Sequence, residues 1–239
     1  MTLAQRLFDQ LAEFQDDVYR NVAERRTEPV DPFDDLAEGD ESFSDAAHRA
    51  EQRVRQDRAP GKPETVGLGP TYESIITRPF ERGIIFPTRY SDGSFPVWFG
   101  SLDPETTIYE TSYHMIRMEL AVEGITQPIV RQRAVYQVFC EALLIDLSEK
   151  RDLFPQLVSD DYGFTNQIGA RLKHEGHPAA LFPSARCEGT NIGVFNPIVL
   201  SNPRPNSELR YVYDPEQLTV TVEGLQSNPE LVISGDRWF

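Results

Sequence analysis

An α+β fold is what this sequence predicts, and three observations carry that expectation. Between residues 71 and 222, short apolar runs recur between turn-forming residues, as buried strands do. In that region two stretches have both the three-to-four spacing and the end signals of a helix. Strands and helices also fail to alternate, as they would in a parallel βαβ sheet. Length fits one large domain or two small ones.

Charge narrows the function. The 239 residues hold 38 acids against 23 bases, a net charge of −15. A nucleic-acid binder needs cations against phosphate, and an anionic membrane surface makes the same demand, so neither is expected as a partner. There is no apolar run of about 18 residues and no signal-peptide core at the N-terminus. Cys140 and Cys187 cannot build a disulfide framework or a four-cysteine metal site; they read as ordinary thiols in a reducing compartment. The expectation is a soluble, acidic, cytoplasmic protein.

In chain order, Leu3, Leu7, Leu11, Phe14, Val18 and Val22 step by three or four and predict an amphipathic helix over residues 3–26. Its stripe suits packing on the main domain, self-association into a homo-oligomer, delivery, or control of access to a cleft. Residues 31–45 are acidic without Lys or Arg and lack the ligand spacing of a calcium loop, so they read as a connector. A short helix is expected over 44–58, and the Pro/Gly-rich stretch after it puts a domain boundary near Pro60–Pro70.

Beyond that boundary, strands are expected at 83–86 and 95–99, the latter after the Asp92-Gly93 turn of a hairpin. Asp103-Pro104-Glu105 reads as N-cap, first-turn proline and first-turn acid, opening a helix over 104–120. Residues 128–147 hold two strand-like runs. A second helix is expected over 165–174, capped by Thr165 and closed by Gly176. Strands then follow at 179–182, 191–195, 209–213 and 218–222.

Several familiar sites are absent from the sequence: no G-x-G-x-x-G after a strand, no phosphate-binding G-x-x-x-x-G-K-[ST], no G-x-S-x-G elbow. His174-Glu175-Gly176-His177 suggests a metal pair, but Gly176 and Pro178 break the helix that would align it, so no metal is expected. His114, four residues after Glu110, faces the same way and reads as a half-buried histidine or a support for that carboxylate. What remains is Arg89 on a strand or turn, Glu110 on the helix that follows, and Ser184 after the apolar run 179–182. Each alone reads equally well as a structural bridge, a solvated carboxylate or a strand-end cap.

Together, in this order and spacing, they resemble the RES domain, a family named for its Arg, Glu and Ser. The matching elements are Arg89 before the strand–turn unit, Glu110 after the Asp-Pro-Glu-Thr helix start, and Pro183-Ser184-Ala185 with Asn191 and Asn196-Pro197. The resemblance covers residues 75–200. It implies an ADP-ribosyltransferase-like core of antiparallel sheets with flanking helices (residues 61–239); the first sixty residues lie outside the resemblance and read, from their own periodicity and charge, as a helical acidic extension (1–60). It also implies an NAD-degrading toxin, a phosphorylase or glycohydrolase, in a type II toxin–antitoxin pair. NAD is then the substrate, no further cofactor is needed, and the partner is a small helix-turn-helix antitoxin. Protein ADP-ribosylation and a catalytically impaired NAD-binding module are the alternatives.

On that reading Glu110 stabilises positive charge growing on the ribose. Arg89 grips the pyrophosphate, Ser184 orients the ribose, and Trp98 or Phe99 stacks on the nicotinamide ring. Asn191 and a further arginine, Arg78 or Arg82, complete the NAD contacts. One departure stands out: Phe99 lies where the family usually carries a tyrosine, keeping a ring but losing a hydroxyl.

Overall fold

Within residues 3–26, where the apolar spacing predicts a helix, residues 11–23 form a strand. In the computed structural model, which describes residues 6–23, 72–81, 86–225, 227 and 230–239, the first strand is β1 (Leu11–Ala23). The reason is arithmetic. A step of four residues returns a side chain to the same side of a helix, and it also preserves the alternation of a strand. Phe14, Val18 and Val22 therefore share one strand face, and Val18 is completely buried. Leu11 breaks the parity and is exposed.

Ten further elements follow. They are α1 (Tyr72–Thr77), β2 (Trp98–Ser101), α2 (Pro104–Leu120), β3 (Ile129–Asp146), α3 (Gly163–Glu175), β4 (Ala179–Pro183), β5 (Thr190–Val194), β6 (Leu200–Asp214), β7 (Thr219–Glu223) and β8 (Glu230–Ser234). The result is a mixed α+β architecture dominated by one sheet. The acidic run 31–45, the helix expected over 44–58 and nearly all of the strand expected at 83–86 lie outside the described residues. Phe86 alone of that strand is described, and it is exposed and not in a strand.

The strand order is β1-β2-β5-β4-β3-β6-β7-β8, with β1 also paired to β3. All pairings are antiparallel except β3–β4. The extra pairing closes β1, β2, β5, β4 and β3 into a ring. β1 matches β3 continuously from Leu11↔Ile145 to Ala23↔Arg133. β3 is thus one unbroken strand where two runs were expected. Along its other edge it pairs first with β6 and then, at Ile145 and Asp146, with β4. β1 accordingly belongs to one compact unit with the described residues from 72 onward.

β6 starts nine residues ahead of its expected beginning at 209, through Pro203 and Pro205. Prolines remove ladder donors and belong at irregular sites; here the β3–β6 register shifts beside the Tyr136↔Pro205 pair. Those bulges bend the strand and let it turn from the ring toward the open sheet.

The ring's inner residues form one core: Val18, Trp98, Val138, Cys140, Leu144, Leu181, Ile192 and Val194 come from all five of its strands. α2 packs Ile108 and Ile116 on the β3-β6-β7-β8 side with Tyr211 and Tyr213. α3 packs Ile168 and Leu172 with Phe182 and Phe195. Among the described residues, no helix is long and apolar enough to cross a membrane.

Candidate active site

α2 gives the cleft more residues than any other element, and its sequence explains why. Asp103 caps the helix, accepting from the Thr106 N–H at 2.7 Å, and Pro104 sits at its first position. The cap sets the helical phase, so Thr107, Glu110, Thr111, His114 and Arg117 recur at three- and four-residue spacing along one side. All five line a cleft of about 540 Å³, a volume in the range of small-molecule sites.

Glu110 is held from below. Its Oε1 accepts from Ser184 Oγ at 2.6 Å and from Asn191 Nδ2 at 2.7 Å. Ser101 Oγ donates to Asn191 Oδ1 at 2.6 Å, which turns the amide so that its NH₂ faces Glu110. Ser184 Oγ also accepts from the Arg186 backbone N–H at 3.1 Å. Ser184 is fully buried and is not part of the cleft wall. Its hydroxyl is engaged by Glu110 and the backbone, which leaves it placed to position the carboxylate rather than to touch a ribose.

Arg89 sits in a tight turn closed by the Thr88↔Ser91 bridge. α3 fixes that turn, because Asn166 Nδ2 donates to the carbonyls of Thr88 (2.8 Å) and Arg89 (2.9 Å). Gly169 comes so close that an added Cβ would lie 1.9 Å from the Tyr90 carbonyl oxygen. The Asp92-Gly93 turn is present, with Gly93 at φ 98° and Ser94 donating to Asp92. It does not join two strands, however, since β2 begins only at Trp98. The Arg89 guanidinium donates to the carbonyls of Leu157 and Ser159 and lies 4.7 Å from the centre of the Tyr162 ring.

Arg89, Glu110, Phe99 and Asn191 thus meet at one cleft. Phe99 lines it edge-on to Phe182. Trp98, next in the strand, points the other way into the ring core, where its indole N–H donates to the Ile75 carbonyl at 2.8 Å. It cannot stack on a ligand in this cleft. Arg78 is exposed, outside the cleft wall, and Arg82 lies outside the described residues.

The cleft is also lined by charged and aromatic groups not expected from the sequence, among them Arg186, Tyr162 and Arg117. Arg117 was within reach, since it continues the helical period that links Glu110 and His114. Arg186 follows Ser184 by two residues, a weak signal, and Tyr162 carries none. His114 lies in the cleft as well. Burial is the main force pulling its imidazole pKa below the usual value, the Glu110 carboxylate opposes this, and Arg186, Arg117 and Arg89 reinforce it. Its ring is therefore neutral at pH 7. No cluster of three or more metal-ligating side chains occurs among the described residues.

A carboxylate braced by a hydroxyl and an amide thus lines a cleft that also holds the guanidinium groups of Arg89, Arg117 and Arg186. The RES-domain family model matches residues 65–214, and the chain belongs to the RES-domain family. Among solved structures, a chain of the M. tuberculosis MbcT-MbcA toxin-antitoxin complex aligns at 11% identity with a TM-score of 0.43, covering 87% of this chain and 91% of that one. No curated protein matches the sequence.

Proposed function

We propose that this cleft binds NAD and cleaves its nicotinamide–ribose bond, and that the chain acts as the toxin of a toxin–antitoxin pair. The observation that carries the reading is the Glu110 carboxylate, braced on Oε1 by Ser184 and Asn191 in a cleft that Arg89 and Arg186 also line. As the C1′–N bond breaks, its electron pair moves to the pyridinium nitrogen and neutral nicotinamide departs, so no general acid is needed. The ribosyl carbon passes through an oxocarbenium-like state that an adjacent carboxylate stabilises. Water or inorganic phosphate then attacks that carbon; water loses a proton as it does so.

In this scheme Glu110 is the charge-stabilising residue and Ser184 holds it in place. Arg89 and Arg186 grip the pyrophosphate, Asn191 orients Glu110, and the Phe99 ring faces the nicotinamide. The toxin role, a small helix-turn-helix antitoxin and a cytoplasmic setting rest on what membership of the family implies.

The test is incubation of purified protein with NAD, with and without phosphate, followed by chromatographic product identification. Nicotinamide should appear with ADP-ribose or its phosphate ester, and Glu110→Gln should slow release by about a hundredfold or more. Label transferred to protein would instead indicate ADP-ribosylation. Phe99 supports a second reading, a module that binds NAD without cleaving it. Binding with no nicotinamide release, and release gained in Phe99→Tyr, would establish that alternative.

A further inference from the structure

Arg186 is a buried cation with an exposed counter-ion. Its side chain is 5% exposed, its Nη2 donates to Asp160 Oδ1 at 2.5 Å, and the Asp160 side chain is 61% exposed. The Arg186 Nε is buried with no hydrogen-bond partner. The guanidinium carbon lies 3.3 Å from the centre of the Tyr113 ring, which holds it in place from one side. Arg89 Nη2 approaches the same Asp160 oxygen at 4.0 Å. Both arginines line the cleft; Asp160 does not.

A buried guanidinium requires an anion and full hydrogen bonding. One carboxylate oxygen shared between two arginines meets the charge requirement and leaves the Nε donor unused. A phosphate group carries more charge and more acceptor oxygens, so it can bond both guanidinium groups in the two-pronged manner that arginine favours. Asp160 faces water and loses little by turning outward. Arg186 has no such choice.

We propose that Arg186 and Arg89 form a phosphate subsite that the Asp160 carboxylate fills while the cleft is empty, so a ligand's phosphate binds by displacing it. The idea rests on the reading of this cleft as a dinucleotide site, and it adds a competition internal to the protein. Asp160 then sets the threshold for anionic ligands: its carboxylate, kept below the usual pKa mainly by the Arg186 hydrogen bond, is ionised at neutral pH.

Calorimetric titration with inorganic pyrophosphate and, separately, with NAD tests this on wild type, Asp160→Ala, Asp160→Asn and Arg186→Gln. Removing a competing charge-assisted bond should tighten pyrophosphate binding by about tenfold in both Asp160 variants, while Arg186→Gln should lose it. Should an Asp160 variant be less stable, pyrophosphate must raise its melting temperature by more than it raises that of wild type. Unchanged or weaker pyrophosphate binding in folded Asp160→Ala overturns the proposal. If NAD is neither bound nor cleaved while pyrophosphate responds as expected, the NAD reading fails and the subsite stands. If NAD is cleaved but the Asp160 variants leave pyrophosphate binding unchanged, the reverse holds.

Discussion

Ser184 separates what a sequence position suggests from what a side chain does. Its place after an apolar run suggested a hydroxyl facing ligand; the hydroxyl is buried beneath Glu110 and also accepts from the Arg186 N–H. Ser184→Ala should therefore cost about 1–3 kcal/mol of stability, read by urea unfolding, because a buried donor loses its acceptor. It should also slow turnover in wild type but hardly at all on top of Glu110→Gln, since both changes remove one interaction. His114 offers a test with a definite sign. A proton NMR titration should place its midpoint below 6.5, and Glu110→Gln should lower it further, because the carboxylate is the charge that raises it. In linkage terms the unfolded chain binds this proton more readily, so the contribution to stability is complete above pH 6.5 and declines as pH falls through the window below it. The position of Glu110 on α2 was legible in the sequence because a strong local cap sets its helix. The gathering of Arg186, Asp160 and Tyr162 around Arg89 was not, because those groups meet through contacts between distant parts of the chain.

At the scale of elements, α2 was legible from Asp103 to Leu120, and Gly176, at φ 80°, closes α3 as expected. α3 nevertheless begins at Gly163, so Thr165 lies inside the helix and not at its cap. β1 was misread because its four-residue steps satisfy two periodicities at once, and only pairing with β3 decides between them. Val18→Asp, which puts a charge into the ring core, should destabilise by about 3 kcal/mol or more in chemical denaturation. A helix lying on the surface would tolerate the same change far better. The α3 contact with the Arg89 turn gives another check. Gly169→Ala forces a methyl against the Tyr90 carbonyl, so it should cost about 1–3 kcal/mol and weaken NAD binding by displacing Arg89.

Over the whole molecule, strand order was the least legible feature, since nothing local in residues 11–23 announces a partner at 133–145. β3 is the shared member, paired with β1, β4 and β6. Its amides between 136 and 145 should be among the slowest to exchange with deuterium, and deleting residues 1–23 should abolish soluble folding rather than merely alter activity. The chain carries a net charge of −15 while its cleft holds Arg89, Arg117 and Arg186, a contrast that favours anions only at short range. One contact reaches further than its position suggests. The Tyr113 ring that backs Arg186 is stacked on Phe239 at 5.2 Å and meets Trp238 edge-on at 5.5 Å. Trp238 and Phe239 thus stand behind the ring that holds the guanidinium, so a change at either is felt at Arg186 without touching the cleft wall.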